Sequence, residues 1–318
     1  MTEPIYCIIG ASGFLGQHLL RHLVTGDVRQ VRCLSRKQQR SAASIEWLRG
    51  SLHDEGTLQN LIVKDSIVIN LGFDASATGD ANVAAARALR RACVRNHAQR
   101  LLHISTATVV GKACADLIDE STPCEPVSGY ERTKFAIERA LLLESTHALP
   151  TTVIRPTAVF GAGGQNLVKL AQNMANGNAI IRYVMAFLHG MRCMNLVASR
   201  NVVAAILYLA GASSQTSQGV YIVSDDDSEH NNYAYVASRL GAAFGNGTRG
   251  APAFSLPAPM LNLLLRVRGR SNINPDRCYS CKKLLDAGFV RPVAFEDALD
   301  TYAAHLAAQW VQYHRLSG

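Results

Sequence analysis

Charged residues make up only 18% of this 318-residue chain, and aromatic residues only 7%. With 48% of residues hydrophobic, that shortage of charge excludes a disordered polar chain and predicts a packed globular one. No apolar run is long enough to span a bilayer. The opening MTEPIYCIIGASG lacks the basic, apolar and cleavage regions of a secretory leader. Cysteines number eight (Cys7, Cys33, Cys93, Cys114, Cys124, Cys193, Cys278 and Cys281), several in apolar runs where a free thiol packs as a small core residue. A reducing cytoplasm is therefore the expected location. Cys278-Tyr-Ser-Cys281 has zinc spacing, but no second pair follows and His305 is distant, so no metal centre is expected. The net charge is +8, carried mostly by scattered arginines without a basic tail. No nucleic-acid module accompanies it, so nucleic acid is not an expected partner. The positive balance agrees instead with anionic ligands such as nucleotides or phosphorylated metabolites.

Short apolar segments alternate with helical periodicity. Ile5 to Ile9 stops at Gly10, and Phe14–Leu15 and Leu19–Leu20 then follow at helical spacing. Strands are expected at Val31 to Leu34, Ser66 to Leu71, Leu101 to Ile104 and Thr152 to Ile154, with helices at 80–94 and from Tyr130 to Ser145. This is the pattern of βαβ units on a parallel sheet. A Rossmann-type α/β fold is predicted, its parallel sheet carrying helices on both faces, with a smaller interlocked C-terminal lobe that binds substrate. Residues 1–160 are expected to form the dinucleotide-binding domain, with segments near 190–225 returning to it, and 161–318 mainly the second lobe. In that lobe helices are expected at Asn166 to Ala175, Val202 to Leu209 and Phe295 to Gln312, and a strand at Gly219 to Val223. The proline-bearing apolar stretch 252–265 and the basic Arg266, Arg268 and Arg270 after it would close over a substrate or lie on a membrane.

Gly10-Ala-Ser-Gly13-Phe-Leu-Gly16 joins the first strand to the first helix. Gly10 permits the tight turn, Gly13 lets backbone approach a pyrophosphate, and Gly16 lets the helix sit close to the strands. The helix start supplies free N–H groups for the anion. An acidic residue about twenty positions on would take a ribose 2′-hydroxyl. Ser35, Arg36 and Lys37 stand there instead. A guanidinium pairs with a 2′-phosphate, so NADP(H) is the favoured cofactor and NAD the alternative. Asp54 is a candidate for the adenine amino group.

Tyr130 and Lys134 lie four apart at a helix start, on one face. Thr106 ends the preceding strand. A phenol near pKa 10 is a poor acid or base at neutral pH, and a neighbouring ammonium would lower it. Together the three residues would move a proton at an alcohol oxygen while hydride moves at its carbon.

G10ASGFLG16, the N82V83 step opening a helix, H103ISTATVVG111, Y130ERTK134, R155PTAVFG161 and M194NLVASRNVVAAI206 together resemble an extended short-chain dehydrogenase/reductase of the nucleotide-sugar epimerase/dehydratase family. The resemblance implies that Thr106, Tyr130 and Lys134 are catalytic and that Lys134 also holds the nicotinamide ribose. It implies a cofactor site of Gly10, Ser12, Gly13, Phe14, Leu15, Gly16, Ser35, Arg36, Asp54, Leu71, Ser105, Tyr130, Lys134 and Pro156. It places substrate contacts at Asn166 and Arg192, with Arg270 as a second arginine for a diphosphate. The bland alternatives are a helix cap at Asn166 and a surface ion pair at Arg192. A homodimer is the expected assembly.

The chain departs from the family at Val110, where Tyr is common, and at Ala198, Ser199 and Arg200. Ala107 and Thr108 stand where the dehydratase branch carries an acidic pair, which argues against water elimination by that route. The expected activity is NADPH-dependent reduction of a 4-keto group on a UDP- or dTDP-linked sugar. Alternatives are NAD-dependent C4 epimerisation of a UDP-hexose, redox chemistry on a small apolar ketone or alcohol, and a non-catalytic NADP(H) sensor.

Overall fold

The computed structural model describes residues 4–25, 30–42, 44–143, 149–176, 178–212, 218–246, 256–257, 259–261, 263 and 274–316. It divides into two compact units. The first comprises Met1–Gly111, Cys124–Arg155 and Val203–Tyr221; the second comprises Lys112–Pro123, Pro156–Val202 and Ile222–Gly318.

The first unit is built on short apolar strands. β1 (Tyr6–Ile9), β2 (Val31–Ser35), β3 (Ile45–Arg49), β4 (Ile67–Asn70), β5 (Arg100–Ile104) and β7 (Thr151–Pro156) join β10 (Gly219–Val223) in one seven-stranded sheet. Its order is β10-β7-β5-β4-β1-β2-β3, and each pairing along β3-β2-β1-β4-β5-β7 is parallel. β4 and β5 are buried at every position, as central strands covered on both faces must be. β3, Ile-Glu-Trp-Leu-Arg, was not expected; it is a half-exposed edge strand with little alternation to betray it. The helices α1 (Phe14–Thr25), α2 (Glu55–Leu61), α3 (Gly79–Arg95) and α4 (Gly129–Leu143) connect the strands. Leu58, Leu61, Val68, Leu89, Leu101 and Leu141 sit in the core beside them. Each such side chain removed from water contributes about 1.5–3 kcal/mol.

The chain runs outward from β1 in both directions, so the strand order reverses between β1 and β4. In parallel sheets of this kind ligands bind beyond the strand C-termini at such a point. Gly10 and Leu71–Gly72 meet there.

The second unit has its own core, from Phe160, Leu196, Val236, Leu240, Phe295, Leu299 and Tyr302. It carries two small parallel sheets, β8 (Ala158–Phe160) with β9 (Leu196–Ala198), and β6 (Leu117–Ile118) with β11 (Cys278–Tyr279). Its helices include α5 (Val168–Asn176), α8 (Tyr233–Ala243) and α10 (Phe295–Leu316), with the short α9 (Lys282–Asp286) before the last. α7 (Ser199–Gly211) is divided between the units. Residues 179–189, not expected as an element, form α6 (Ala179–His189), none of whose residues is buried. Of the stretch 252–265 only 256–257, 259–261 and 263 are described, and Arg266, Arg268 and Arg270 lie outside the described residues. Among the described residues no helix is long and apolar enough to cross a membrane. Nor do three His, Cys, Asp or Glu side chains gather there as a metal site would require.

Candidate active site

The glycine turn opens the site. Gly10 has φ +80, and a Cβ there would meet Gly72 N and Leu71 C at 2.9 Å. A Cβ on Gly16 would lie 2.3 Å from Gly10 O, so the helix can approach the strand only without a side chain. Gly13 N donates to Gly10 O at 3.0 Å and closes the turn. Beyond it lies a cleft of about 240 Å³, lined by Gly10, Ser12, Gly13, Ser35, Arg36, Ser51, His53, Leu71, Gly72, Phe73 and Asp74 among others. A glycine turn that tolerates no Cβ, beside a cleft at the reversal point walled partly by backbone, fits the adenosine end of a dinucleotide.

Of the expected cofactor residues, Gly10, Ser12, Gly13, Ser35, Arg36 and Leu71 line this cleft. Phe14, Leu15 and Gly16 form the first turn of α1. Asp54 does not line it. Its Oδ1 accepts from Gly56 N at 3.0 Å and its Oδ2 from Thr57 Oγ1 at 2.5 Å, capping α2. Asp54 thus caps α2 and stands outside the cleft lining, so the geometry gives the adenine role expected for it no support. Pro156, the last residue of β7, falls in the second unit.

His53, Phe73 and Asp74 were not anticipated. Asp74 Oδ2 faces His53 Nε2 at 3.4 Å and Arg36 Nη1 at 3.8 Å. Hydrogen bonds from the Ser76 side chain and backbone hold the Asp74 carboxyl below its usual range, with Arg36 and His53 adding to the effect. The segment that carries it is pinned on both sides. Asn70 Oδ1 accepts from Gly72 N at 3.0 Å, and Asn82 both accepts from Asp74 N and donates to Asp74 O. That orients the Asn70 amide so that Nδ2 donates to His103 Nδ1 at 3.1 Å, leaving the His103 proton on Nε2. Burial and the charge on Lys134 keep His103 well below the usual imidazole pKa, so it is neutral. The one sequence signal for this group was position: residues 72–74 follow the strand that neighbours β1.

The proton-handling residues come from two elements. A capping box starts α4: Glu131 N donates to Ser128 Oγ at 3.1 Å, and Ser128 N to Glu131 Oε2 at 2.9 Å. Tyr130 thus sits in the first turn and Lys134 one turn on. Lys134 is 4% exposed; Nζ donates to Ile104 O at 2.8 Å and lies 5.2 Å from the centre of the Phe73 ring. Burial pushes the ammonium down to about 8, and Glu138, next along the same face, opposes that fall. Glu138 is itself held by Arg155 at 2.6 Å. Thr106 lies two residues after the end of β5 and caps a single 3-10 turn, accepting from Thr108 N at 3.3 Å. Ser105 beside it is buried, with a hydroxyl that has no hydrogen-bond partner among the described residues.

The fall expected for the Tyr130 phenol was assigned to Lys134 together with an oxidised nicotinamide; among the protein's own groups burial acts the other way and raises it. The Tyr130 ring stands at 83° to that of Phe73, with centres 5.1 Å apart, while the ammonium lies over the same Phe73 ring.

The expected substrate residues lie in the second unit. Asn166 Nδ2 donates to Val159 O at 2.7 Å and tethers its own loop. The Arg192 guanidinium is taken up by Asp276 Oδ1 at 3.1 Å, Leu188 O at 2.7 Å and Leu256 O. It therefore makes the ion pair named as the alternative to a diphosphate contact. Arg270 lies outside the described residues.

Residues 6–224 match the NAD dependent epimerase/dehydratase family. The chain belongs to this family of oxidoreductases and epimerases. It resembles the dTDP-glucose 4,6-dehydratase of Bacillus anthracis solved with NAD, at 15% identity and TM-score 0.72, covering 98% of this chain and 97% of that one. It also resembles the Bordetella bronchiseptica enzyme WbmG solved with NAD and UDP, at 17% identity and TM-score 0.68, covering 96% and 95%. At these identities the likeness is one of fold. Sterol demethylase protein B of Methylococcus capsulatus is 29% identical over 168 residues, 48% of this chain and 51% of that protein. The chain spans about half the length, or less, of the curated relatives it matches. The expectation of NADP(H) is corrected by these matches: the family is NAD-dependent, and both solved structures hold NAD. A physical reason agrees with this: Asp74 lines the same cleft and puts a carboxylate beside Arg36, and negative charge there disfavours an added phosphate on the cofactor.

Proposed function

We propose that this member of the epimerase/dehydratase family uses NAD to epimerise C4 of a nucleotide-linked hexose such as a UDP-hexose. The observation that carries it is the grouping of Tyr130, Lys134 and the Ser105–Thr106 segment that follows β5 in the unit that holds the glycine cleft. NAD, when bound, supplies a hydride acceptor that gives the hydride back, so the overall reaction is redox-neutral and the cofactor need not exchange. Ser12, Gly13 and the start of α1 would hold its pyrophosphate, and the cleft with Ser35, Ser51 and Asp74 its adenosine. Thr106 and Ser105 would orient the substrate hydroxyl. Tyr130 would take its proton and return it, with Lys134 as the fixed positive charge nearby. Ala107 and Thr108 offer no acid–base pair for eliminating water.

Purified protein should convert UDP-glucose and UDP-galactose to one equilibrium mixture without added cofactor, and native mass spectrometry should find NAD retained. Retained NAD with no conversion across a panel of nucleotide-linked hexoses would overturn the reading.

A second reading keeps the chemistry and exchanges the sugar for an apolar alcohol or ketone. Two observations favour it. Arg192 is engaged by Asp276, and α6 exposes Ile180, Ile181, Val184 and Phe187. The similarity to sterol demethylase protein B points the same way. UDP separates the readings: at a hundred times its Kd it should add about 2.7 kcal/mol of stability in the nucleotide-sugar case and nothing in the other.

A further inference from the structure

Phe73 is the one side chain that meets the nucleotide cleft, Tyr130 and Lys134 at once in the contacts described above. It lines the cleft, stands perpendicular to the Tyr130 ring at 5.1 Å, and carries the Lys134 ammonium over its own ring at 5.2 Å. Its backbone has little freedom. The preceding N–H is held by Asn70 and the following residue is bracketed by Asn82, and both amides are only 2% exposed. A ring this firmly placed is suited to setting the position of other groups.

We propose that Phe73 is a positioning residue, whose ring face holds Lys134 as a cation and whose edge-to-face packing fixes the Tyr130 ring. The proposal rests on the function proposed above only in giving this pair a proton to move.

The physics is that of a buried charge with few ways to be stabilised. Burial disfavours the ammonium. The groups that face it are the Ile104 carbonyl and neutral His103 from β5, and Glu138 on its own helix, already shared with Arg155 from β7. The negative face of an aromatic ring adds attraction from the remaining side, and such a contact strengthens when water is excluded. Removing it should make Lys134 give up its proton at lower pH.

The test keeps the shape of the ring and changes its electrons. Site-specific 3,4,5-trifluorophenylalanine in place of Phe73 empties the ring face without opening a cavity. The chain has only seven lysines, so the ¹³Cε resonance of Lys134 can be assigned with Lys134→Arg and titrated directly in the NAD-bound and free protein. The fluorinated ring should lower the Lys134 midpoint by roughly half a unit to one and a half units. Phe73→Tyr, which keeps the face, should leave it within a few tenths of a unit of the starting value. The alkaline limb of activity should move with the resonance. An unchanged midpoint in the fluorinated protein, or an equal shift in Phe73→Tyr, would overturn the proposal. The titration needs no turnover. Full activity in Tyr130→Phe alongside a shifted Lys134 midpoint would sink the proposed function and leave the role of Phe73 standing.

Discussion

Glu138 Oε2 and Arg155 Nη2 lie 2.6 Å apart in the first unit, with side chains 1% and 5% exposed. Both Glu138 oxygens also accept from Arg155 Nε at 3.1 Å. Glu138 stands one helical turn from Lys134, and its carboxylate opposes the cost of burying the ammonium. Glu138→Gln leaves Arg155 buried without its counter-charge. Urea unfolding should show a loss of about 3–5 kcal/mol. A Glu138→Gln/Arg155→Met double variant should recover part of that loss, because it removes the stranded charge as well.

Lys134 predicts opposite pH trends for activity and stability. Its folded pKa is about 8, against 10.5 for a free lysine. Between those values the unfolded chain holds the proton and the folded chain does not, so this group's contribution to stability rises with pH across that window. Below about pH 8 both states are charged, and the burial cost is carried in full. Activity that needs the cation should instead fall above about pH 8. Lys134→Met should lower kcat by roughly 10²–10⁴. Its stability advantage over the wild type should shrink as pH rises from 8 to 10.5. Chemical unfolding at three pH values reads the second effect, and a wild-type activity profile flat to pH 10 would contradict the first.

Asp74 is expected to weigh against the phosphorylated form of the cofactor, because its carboxylate faces Arg36 in the cleft. Asp74→Asn removes the charge that Arg36 and His53 face. Arg36 is then free to meet a 2′-phosphate, and the ratio of NADP to NAD affinity should rise by up to about tenfold. Isothermal titration at two salt concentrations checks it. The gain should shrink at high salt, since both side chains reach solvent.

Two glycines make a matched pair of probes. Gly16→Ala brings a methyl group to 2.3 Å from Gly10 O and 2.6 Å from Ala11 O, both backbone atoms that cannot turn away. It should cost about 1–3 kcal/mol and weaken NAD binding. Gly129→Ala, with nothing within 4 Å of the added carbon, should be neutral or stabilise by up to ~1 kcal/mol. Thermal melts with and without NAD distinguish the two.

Much of the first unit was legible from local pattern alone. Strands of four to six apolar residues, a glycine turn before a helix, and Tyr130 and Lys134 at helical spacing all depend on neighbours within a few positions. A single chain displays such relations in full. β3 escaped because Ile45, Trp47 and Leu48 are interrupted by Glu46 and Arg49 on a half-exposed edge, where burial imposes little pattern.

What the sequence by itself determined is the alternation that makes a parallel sheet, and with it the edge on which a ligand must bind. Only the tertiary structure decided who meets at that edge. Pairing β1 with β4 sets Gly10 against Gly72, and pairing β4 with β5 sets Asn70 beside His103. The same folding turns Asp74 toward Arg36, and it uses Asp276 on Arg192 across 84 residues of chain. Composition and periodicity carry no trace of such contacts, because they follow from strand register and packing rather than from any preference of the residues themselves.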